Sequence, residues 1–187
     1  MRFPDVVPLV GLSLQRPKAE LAQALCATLN ASYVLHEPFL CWAKPRTTLE
    51  EAARSLVEAD KWFDTLDGEK RYFLLDPQER IIGCIGLTPL TEGYEVGYWA
   101  SEAFAGRGFM TQALRYLVDS CGSDTLMLTT SSENIRSQRL ATRAGFVLTA
   151  VRQGDRRNRN GQVCDTYVYE APAAGRALQQ RTRCLHG

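Results

Sequence analysis

The chain has little that would tie it to a metal, a membrane or a nucleic acid. It holds two histidines, His36 and His186, and its six cysteines at positions 26, 41, 84, 121, 164 and 184 are scattered without a CxxC pair. Tetrahedral zinc wants clustered Cys and His, so no metal site is expected. No cysteine has a base beside it in a local pattern, and the thiols read as reduced and mostly buried, as in a cytoplasmic protein. The net charge is +1, which gives no global field to gather nucleic acid or an anionic membrane. No run approaches the roughly 20 apolar residues that span a bilayer. The opening "MRFPDVVPLVGLSLQRPK" carries Pro4, Asp5 and Pro8 and does not read as a signal peptide. Repeats and low-complexity linkers are also missing. The two best-known phosphate loops are excluded too: there is no G-x-x-x-x-G-K-S/T, and G-x-G-x-x-G fails because Thr111 stands at the third glycine.

What remains is average in bulk. The 187 residues, 45% apolar and 23% charged, suit a single domain with a full core. Residues 1–170 read as that domain and 171–187 as a C-terminal tail of weak periodicity. Leu9 to Gln15 reads as a first strand. Pro17 opens a helical stretch with Leu21, Leu25 and Leu29 on one face. The aromatic, proline-punctuated "SYVLHEPFLCWAKPR" reads as a loop or short helix. Thr48 with Glu51 forms a capping-box pattern ahead of the helical run to Phe63. The period then changes. "RYFLLD", "RIIGCIGLTPL" and "YEVGYWA" are short β runs parted by turn signals, as in an antiparallel meander.

A strand-to-helix corner follows, with Gly106-Arg107-Gly108 between "EVGYWA" and a helix carrying Met110, Ala113, Leu114 and Leu117. A helix N-terminus presents unpaired N–H groups and partial positive charge, so phosphate binds there. Glycine lets backbone approach a ligand closely, and Arg107 can add charge at the rim. "TLMLTT" is a lone apolar strand, and "NIRSQRLATRAG" is a short helix ending on Gly145. "FVLTAVRQ" and "CDTYVYEA" are two last strands across the basic turn "GDRRNRNGQ". The order implies an α+β domain. Its mixed sheet is expected to have about seven strands with an antiparallel N-terminal part, beside about four helices.

Here a resemblance becomes visible. "AGRGFM", Ala105 to Met110, resembles the acetyl-CoA loop of the GNAT acetyltransferase superfamily, Q/R-x-x-G-x-G/A, with Gly108 at its central glycine. Ala105 and Met110 depart from the pattern, but neither removes a backbone donor. "EVGYW", "NIRSQRLATRAGF" and "RNGQVCDTYVY" are similar, in that order, to the branch containing the ribosomal-protein N-terminal acetyltransferases, and "KPRTTLEEA" resembles its early helix start. The resemblance implies an αβα-layered GNAT-like fold with splayed middle strands, and an acetyl-CoA-dependent N-acetyltransferase acting by direct attack in a ternary complex. Its acceptor would be the N-terminal α-amine of a protein or peptide. Two alternatives stand beside this: a small amine as acceptor, or a CoA-binding module without turnover. Monomer and homodimer both remain open.

The same resemblance implies roles. The amides of Gly106, Arg107, Gly108, Phe109, Met110 and Thr111 would hold the CoA pyrophosphate. Tyr98 and Ala100, two apart on their strand, point backbone groups the same way and would pair with pantetheine. Asn134 is an N-cap candidate that would also contact the cofactor. Glu95 would take the amine proton. Ser137 would serve the leaving thiolate, because the helix that often supplies a tyrosine acid in this family has none here. His36, Trp42 and Trp62 could shape the acceptor pocket, as could the turn with Arg156, Arg157 and Arg159. Asp155 or Asp165 could orient a cationic substrate.

Overall fold

The computed structural model describes residues 3–171 as one eight-stranded mixed sheet with helices on both faces. The sheet is one strand larger than the sequence suggests, because the first strand is a hairpin: β1 (Val6–Leu9) and β2 (Leu12–Gln15) pair antiparallel. Gly11 makes that turn at φ +69, a left-handed conformation open to glycine. Among the described residues there are five α-helices, where about four are expected, the additional one being a single turn, α2 (Tyr33–His36).

After the hairpin, a 3₁₀ turn (Ala19–Leu21) leads into α1 (Ala22–Ala31), then α2 and α3 (Leu49–Phe63). The capping box forms in full. The Thr48 amide donates to Glu51 Oε2 at 2.8 Å and the Glu51 amide to Thr48 Oγ1 at 3.2 Å. Arg16 ties the hairpin to α3 and its C-cap by ion pairs to Asp60 and Asp64, and pairs with Asp5 beside β1; its guanidinium lies 4.6 Å from the Phe63 ring centroid.

The expected meander follows: β3 (Lys70–Leu75), β4 (Ile81–Pro89) and β5 (Tyr94–Ala100), each antiparallel to the last. Then come α4 (Phe109–Ser120), β6 (Leu126–Ser131) and α5 (Ile135–Ala144). β6 lies parallel to β5. β7 (Val147–Arg157) takes the sheet edge, and β8 (Val163–Ala171) returns between β6 and β7. β7 runs four residues further than the sequence reading, through the first four of "GDRRNRNGQ"; residues 158–162 make the turn. The strand bends at an irregularity between Arg152 and Arg156, where the Gly154 amide donates to the Asp165 carboxylate at 2.9 Å. Asp165 is thus part of the strand's architecture. Ala171 is fully buried at the end of β8, one residue past the expected domain limit; the remaining tail, 172–187, lies outside the described residues.

Two cores sandwich the sheet. On one face α4 and α5 pack Met110, Leu114, Leu117 and Ala141 against Val96, Leu126 and Leu128. On the other, α1 and α3 pack Leu25, Ala52 and Leu56 against Phe73, Leu75 and Cys84. The α+β, αβα layering is therefore as read from the sequence. Among the described residues no helix is long and apolar enough to cross a membrane, and no His, Cys, Asp and Glu group could hold a metal ion.

Candidate active site

The site is a fork in the sheet. β5 and β6 are paired at Tyr94↔Leu126 and Glu95↔Met127, and their ladder stops there, although β5 runs on to Ala100 and β6 to Ser131. The Tyr94 amide donates to the Thr125 carbonyl, while the Ser101 amide donates to Ile82 of β4. Strand alternation then turns the backbone groups of Val96, Tyr98 and Ala100 away from β4, into the opening. The expected splay is present, and Tyr98 and Ala100 flank it. Ala100 differs from expectation in one respect. Its carbonyl already accepts a 2.8 Å hydrogen bond from His36 Nε2, so its amide is the group left for a ligand.

The glycine corner opens α4. Gly106 and Gly108 sit at φ +80 and +83, in the left-handed region that side chains resist. A Cβ at either would meet no atom within 4 Å, so backbone conformation, not crowding, requires glycine there. Gly108 is the N-cap of α4, without a side-chain cap or an acidic first turn. The first helical bond runs from the Gln112 amide to the Gly108 carbonyl. The amides of Phe109, Met110 and Thr111 thus have no carbonyl of their own helix to meet. Arg107 is exposed beside Phe104, 5.5 Å from its ring centroid. Met110 contributes an amide only, since its side chain is buried in the core. A cavity of about 750 Å³ adjoins this corner, lined by Gly108, Thr111, Arg115 and Arg143 among others. The two arginines escaped the sequence reading.

The side chains of β5 divide between the faces. Tyr98 points to the α5 side, where its phenol lies 2.7 Å from Ser137 Oγ. Asn134 Oδ1 accepts from the Ser137 amide at 3.1 Å as the N-cap of α5. Tyr98, Ser137 and Asn134 form one chain of contacts at the start of that helix. Ser137 is buried. Burial pushes the Tyr98 phenol up to about 12, so it stays protonated at neutral pH.

Glu95 points to the opposite face. Its Oε1 accepts from Thr129 Oγ1 of β6 at 3.0 Å, a bond across the crotch of the fork. On this same face a cavity of about 510 Å³ runs beneath α1 and α3, lined by Leu29, Trp42, Glu69, Phe73, Gly97 and Trp99 among others. His36 packs between Trp42 and Trp99, with ring centroids 5.9 and 5.4 Å away. Burial holds its imidazole below the usual histidine value, against the Ala100 hydrogen bond, which favours the proton. Arg159 of the last turn reaches back to the carbonyls of Leu40, which lines this cavity, and Ala43. Trp62 is not part of this pocket; it is 57% exposed near the end of α3. Asp155 is exposed on β7. The sequence reading missed Glu69 and Arg71, which sit at the far end of the cavity.

Comparison with known proteins agrees with this architecture. The E. coli (strain K12) ribosomal-protein-serine acetyltransferase is 28% identical over 106 residues, which is 53% of this chain and 59% of that protein. The alignment thus leaves about two fifths of that relative unmatched. Among solved structures, RimL, a ribosomal α-N-protein acetyltransferase bound to coenzyme A, superimposes with a TM-score of 0.80 at 20% identity, covering 90% of this chain and 98% of that one. A microcin self-immunity acetyltransferase bound to acetyl-CoA and AMP gives 0.77 at 19% identity, covering 86% and 91%. A ribosomal-protein-alanine acetyltransferase from Vibrio fischeri gives 0.74 at 15%, covering 90% and 97%. The family description "Acetyltransferase (GNAT) domain" matches residues 12–147, and the chain belongs to the GNAT acetyltransferase family.

Proposed function

We propose that the protein transfers the acetyl group of acetyl-CoA to the N-terminal α-amine of a protein or peptide, in one ternary complex. The observation that carries this is the fork itself: a free β5 edge, Val96 to Ala100, next to a helix N-terminus with unpaired amides and no resident carboxylate. The amides of Gly106 and of Gly108 to Thr111 hold the pyrophosphate, with the Arg107 side chain at the rim; the Arg107 amide, expected to join them, donates instead to the Phe104 carbonyl. Pantetheine adds to the free edge at Tyr98 and the Ala100 amide, as a strand would. Asn134 caps the helix that carries Ser137 along the other wall. No metal enters the scheme.

The chemistry then divides between the faces. The amine arrives from the α1/α3 side, past Glu95, which accepts its proton directly or through water. The nitrogen attacks the thioester carbon, the C–S bond breaks and CoA leaves as thiolate. An ordinary thiol titrates near 8.5, whereas Tyr98 titrates at about 12. Full proton transfer from Tyr98 to sulfur would therefore run uphill. Ser137 acts instead by hydrogen-bonding the developing thiolate, its hydroxyl aimed by the Tyr98 phenol. An α-amine, with a pKa near 8, loses its proton far more readily at neutral pH than a lysine near 10.4, which favours the α-amine as acceptor. The ribosomal-protein relatives support the same substrate class.

The test is thiol release from acetyl-CoA with a panel of peptide N-termini and small amines, with mass spectrometry of the product. Glu95→Gln keeps shape and removes charge. It should lower kcat/KM by about 10²-fold or more, with CoA affinity unchanged and the deficit shrinking at high pH. Wild-type rates for Glu95→Gln at pH 7 would remove Glu95 from the mechanism.

A further inference from the structure

The acceptor cavity has a floor made by absent side chains. Gly86 of β4 and Gly97 of β5 are directly paired, and both face the α1/α3 side. A Cβ on Gly97 would meet nothing within 4 Å, so that gap is open. A Cβ on Gly86 would fall 2.0 Å from Glu69 Oε1. The Glu69 carboxylate thus occupies the space that glycine leaves. Arg71 holds it there: its Nε donates to Oε2 at 2.8 Å and its Nη2 to the same oxygen. Oε2 is engaged twice. Oε1 lies over the floor with no hydrogen bond among the described residues. The same cavity is walled by Phe73, Trp99, Trp42 and Leu29.

Distance decides what Glu69 can do. Neighbouring strands lie about 4.8 Å apart, so Gly86 stands one strand spacing from Gly97, and the fork opens one further spacing beyond. Glu69 is thus roughly 10 Å from the place where an amine meets the thioester. A base must come within about 3 Å of the proton it removes. Glu69 cannot be that base, and its free oxygen must meet another part of the acceptor.

Resting on the acetyltransferase reading above, we propose that Glu69 is a specificity determinant that receives a second, cationic group of the acceptor. In a peptide this is a basic side chain within the first three residues, since an extended chain advances about 3.3 Å per residue. A carboxylate oxygen makes its stronger hydrogen bonds to charged donors. The indoles of Trp42 and Trp99 line the approach and attract a passing cation through their faces. Arg71 lies on the far oxygen, where it orients the carboxylate. An anionic acceptor would find Glu69 ahead of it.

Binding separates this from catalysis. The CoA-loaded protein is titrated calorimetrically with the tripeptide amide Ser-Lys-Ala and with its norleucine counterpart, which keeps the stem and lacks the charge. Wild type should bind the lysine peptide about tenfold more tightly, a preference of the size a charge-assisted bond supplies. Glu69→Gln should abolish that preference without changing CoA affinity. Gly86→Ala, which displaces the carboxylate but keeps it, should reduce it. Gly97→Ala, which fills the floor without a clash, should weaken both peptides. Equal binding of the two peptides by wild type, or a surviving preference in Glu69→Gln, overturns the assignment. If the preference behaves as described but neither peptide is acetylated, the reaction fails and the pocket stands. If both are acetylated equally by wild type and Glu69→Gln, the pocket fails and the reaction stands. A preference for 1,5-diaminopentane over the peptide would overturn the peptide as its source.

Discussion

Replacing Tyr98 by Phe deletes one oxygen, and the structure fixes what that oxygen does. Its single close partner is Ser137 Oγ, at 2.7 Å, with the Ser137 carbonyl at 3.5 Å as a weaker alternative. Both residues sit in the packed side of the fork, Ser137 with 9% exposure. Losing the phenol leaves a buried hydroxyl short of a partner, which costs about 1–3 kcal/mol. For a domain of this size that lowers Tm by about 2–12 °C, at 2–4 °C per kcal/mol. The kinetic effect has a different size and cause. One preorganised donor to developing charge is worth about 10²- to 10³-fold in kcat, and sulfur spreads its charge more than oxygen does, so the lower end applies. Ser137→Ala removes the donor and should lower kcat about 10²-fold. Tyr98→Phe removes the group that aims it and should cost about tenfold. Because the phenol acts through the hydroxyl, the double variant should match Ser137→Ala, not the product of the two. The assay is thiol release under saturating acetyl-CoA, with thermal melts run in parallel. Additive losses would show that the two hydroxyls act separately. A wild-type kcat for Ser137→Ala would remove the pair from the chemistry.

The remaining expectations concern other parts of the site. Gly108→Val should fold but lose most CoA affinity by calorimetry. φ is +83 and the space is open, so the harm is strain and obstruction at the phosphate amides; unchanged affinity would break the assignment of that corner. Incubation with acetyl-CoA alone should leave no acetyl adduct by intact-mass spectrometry. Cys84 and Cys121 are buried, and burial pushes Cys84 up to about 12 and also raises Cys121; an adduct on either would imply a ping-pong route. His36 should contribute to acid sensitivity. Its folded pKa is depressed, so the unfolded chain takes up the proton first, and stability is held above the unfolded value near 6.5 and lost as pH falls below it. His36→Gln should therefore show a smaller drop in Tm between pH 7.5 and 5.5 than wild type, and an equal drop would exclude the residue as the source.

The parts of this architecture that were legible in the sequence are those whose cause is local. The capping box needs only Thr48 and Glu51, three residues apart. Gly145 ends α5 at φ +101, a conformation that glycine advertises. The corner at Gly106 and Gly108 is the same kind of signal. The meander was readable because β-formers alternate with turn residues over short spans. β7 was misjudged for a physical reason. Nearly every residue of it is exposed, so no buried face imposes a period of two, and its polar half reads as a turn. Its strand character comes from pairing with β8. The phenol of Tyr98 was missed because its partner lies 39 positions away on a different element. Glu69 was missed because its significance depends on a glycine in the neighbouring strand, an absence that acquires meaning only when β3 and β4 are side by side.

In the proposed reaction the single strand β5 would serve both substrates because of its parity. Val96, Tyr98 and Ala100 turn their side chains to the α4/α5 core and their backbone groups to the fork. Glu95, Gly97 and Trp99 turn theirs to the cavity under α1 and α3. A cofactor that adds to the free edge is therefore recognised by backbone, which leaves Val96 and Ala100 open to other side chains that fill the core, while Tyr98 is also held to its contact with Ser137. The acceptor face has no such latitude. Gly97 must stay small to leave the floor open, Trp99 must wall it, and Glu95 must sit where the ladder ends. Slipping β5 by one residue would exchange the two sets. It would bury a carboxylate against Leu114 and turn a phenol toward the cavity. The packing that stabilises the α4/α5 face, from Val96 at 2% exposure to Leu114 at 0%, is thus also what keeps the catalytic register, and destabilising substitutions there should lower activity before they unfold the protein.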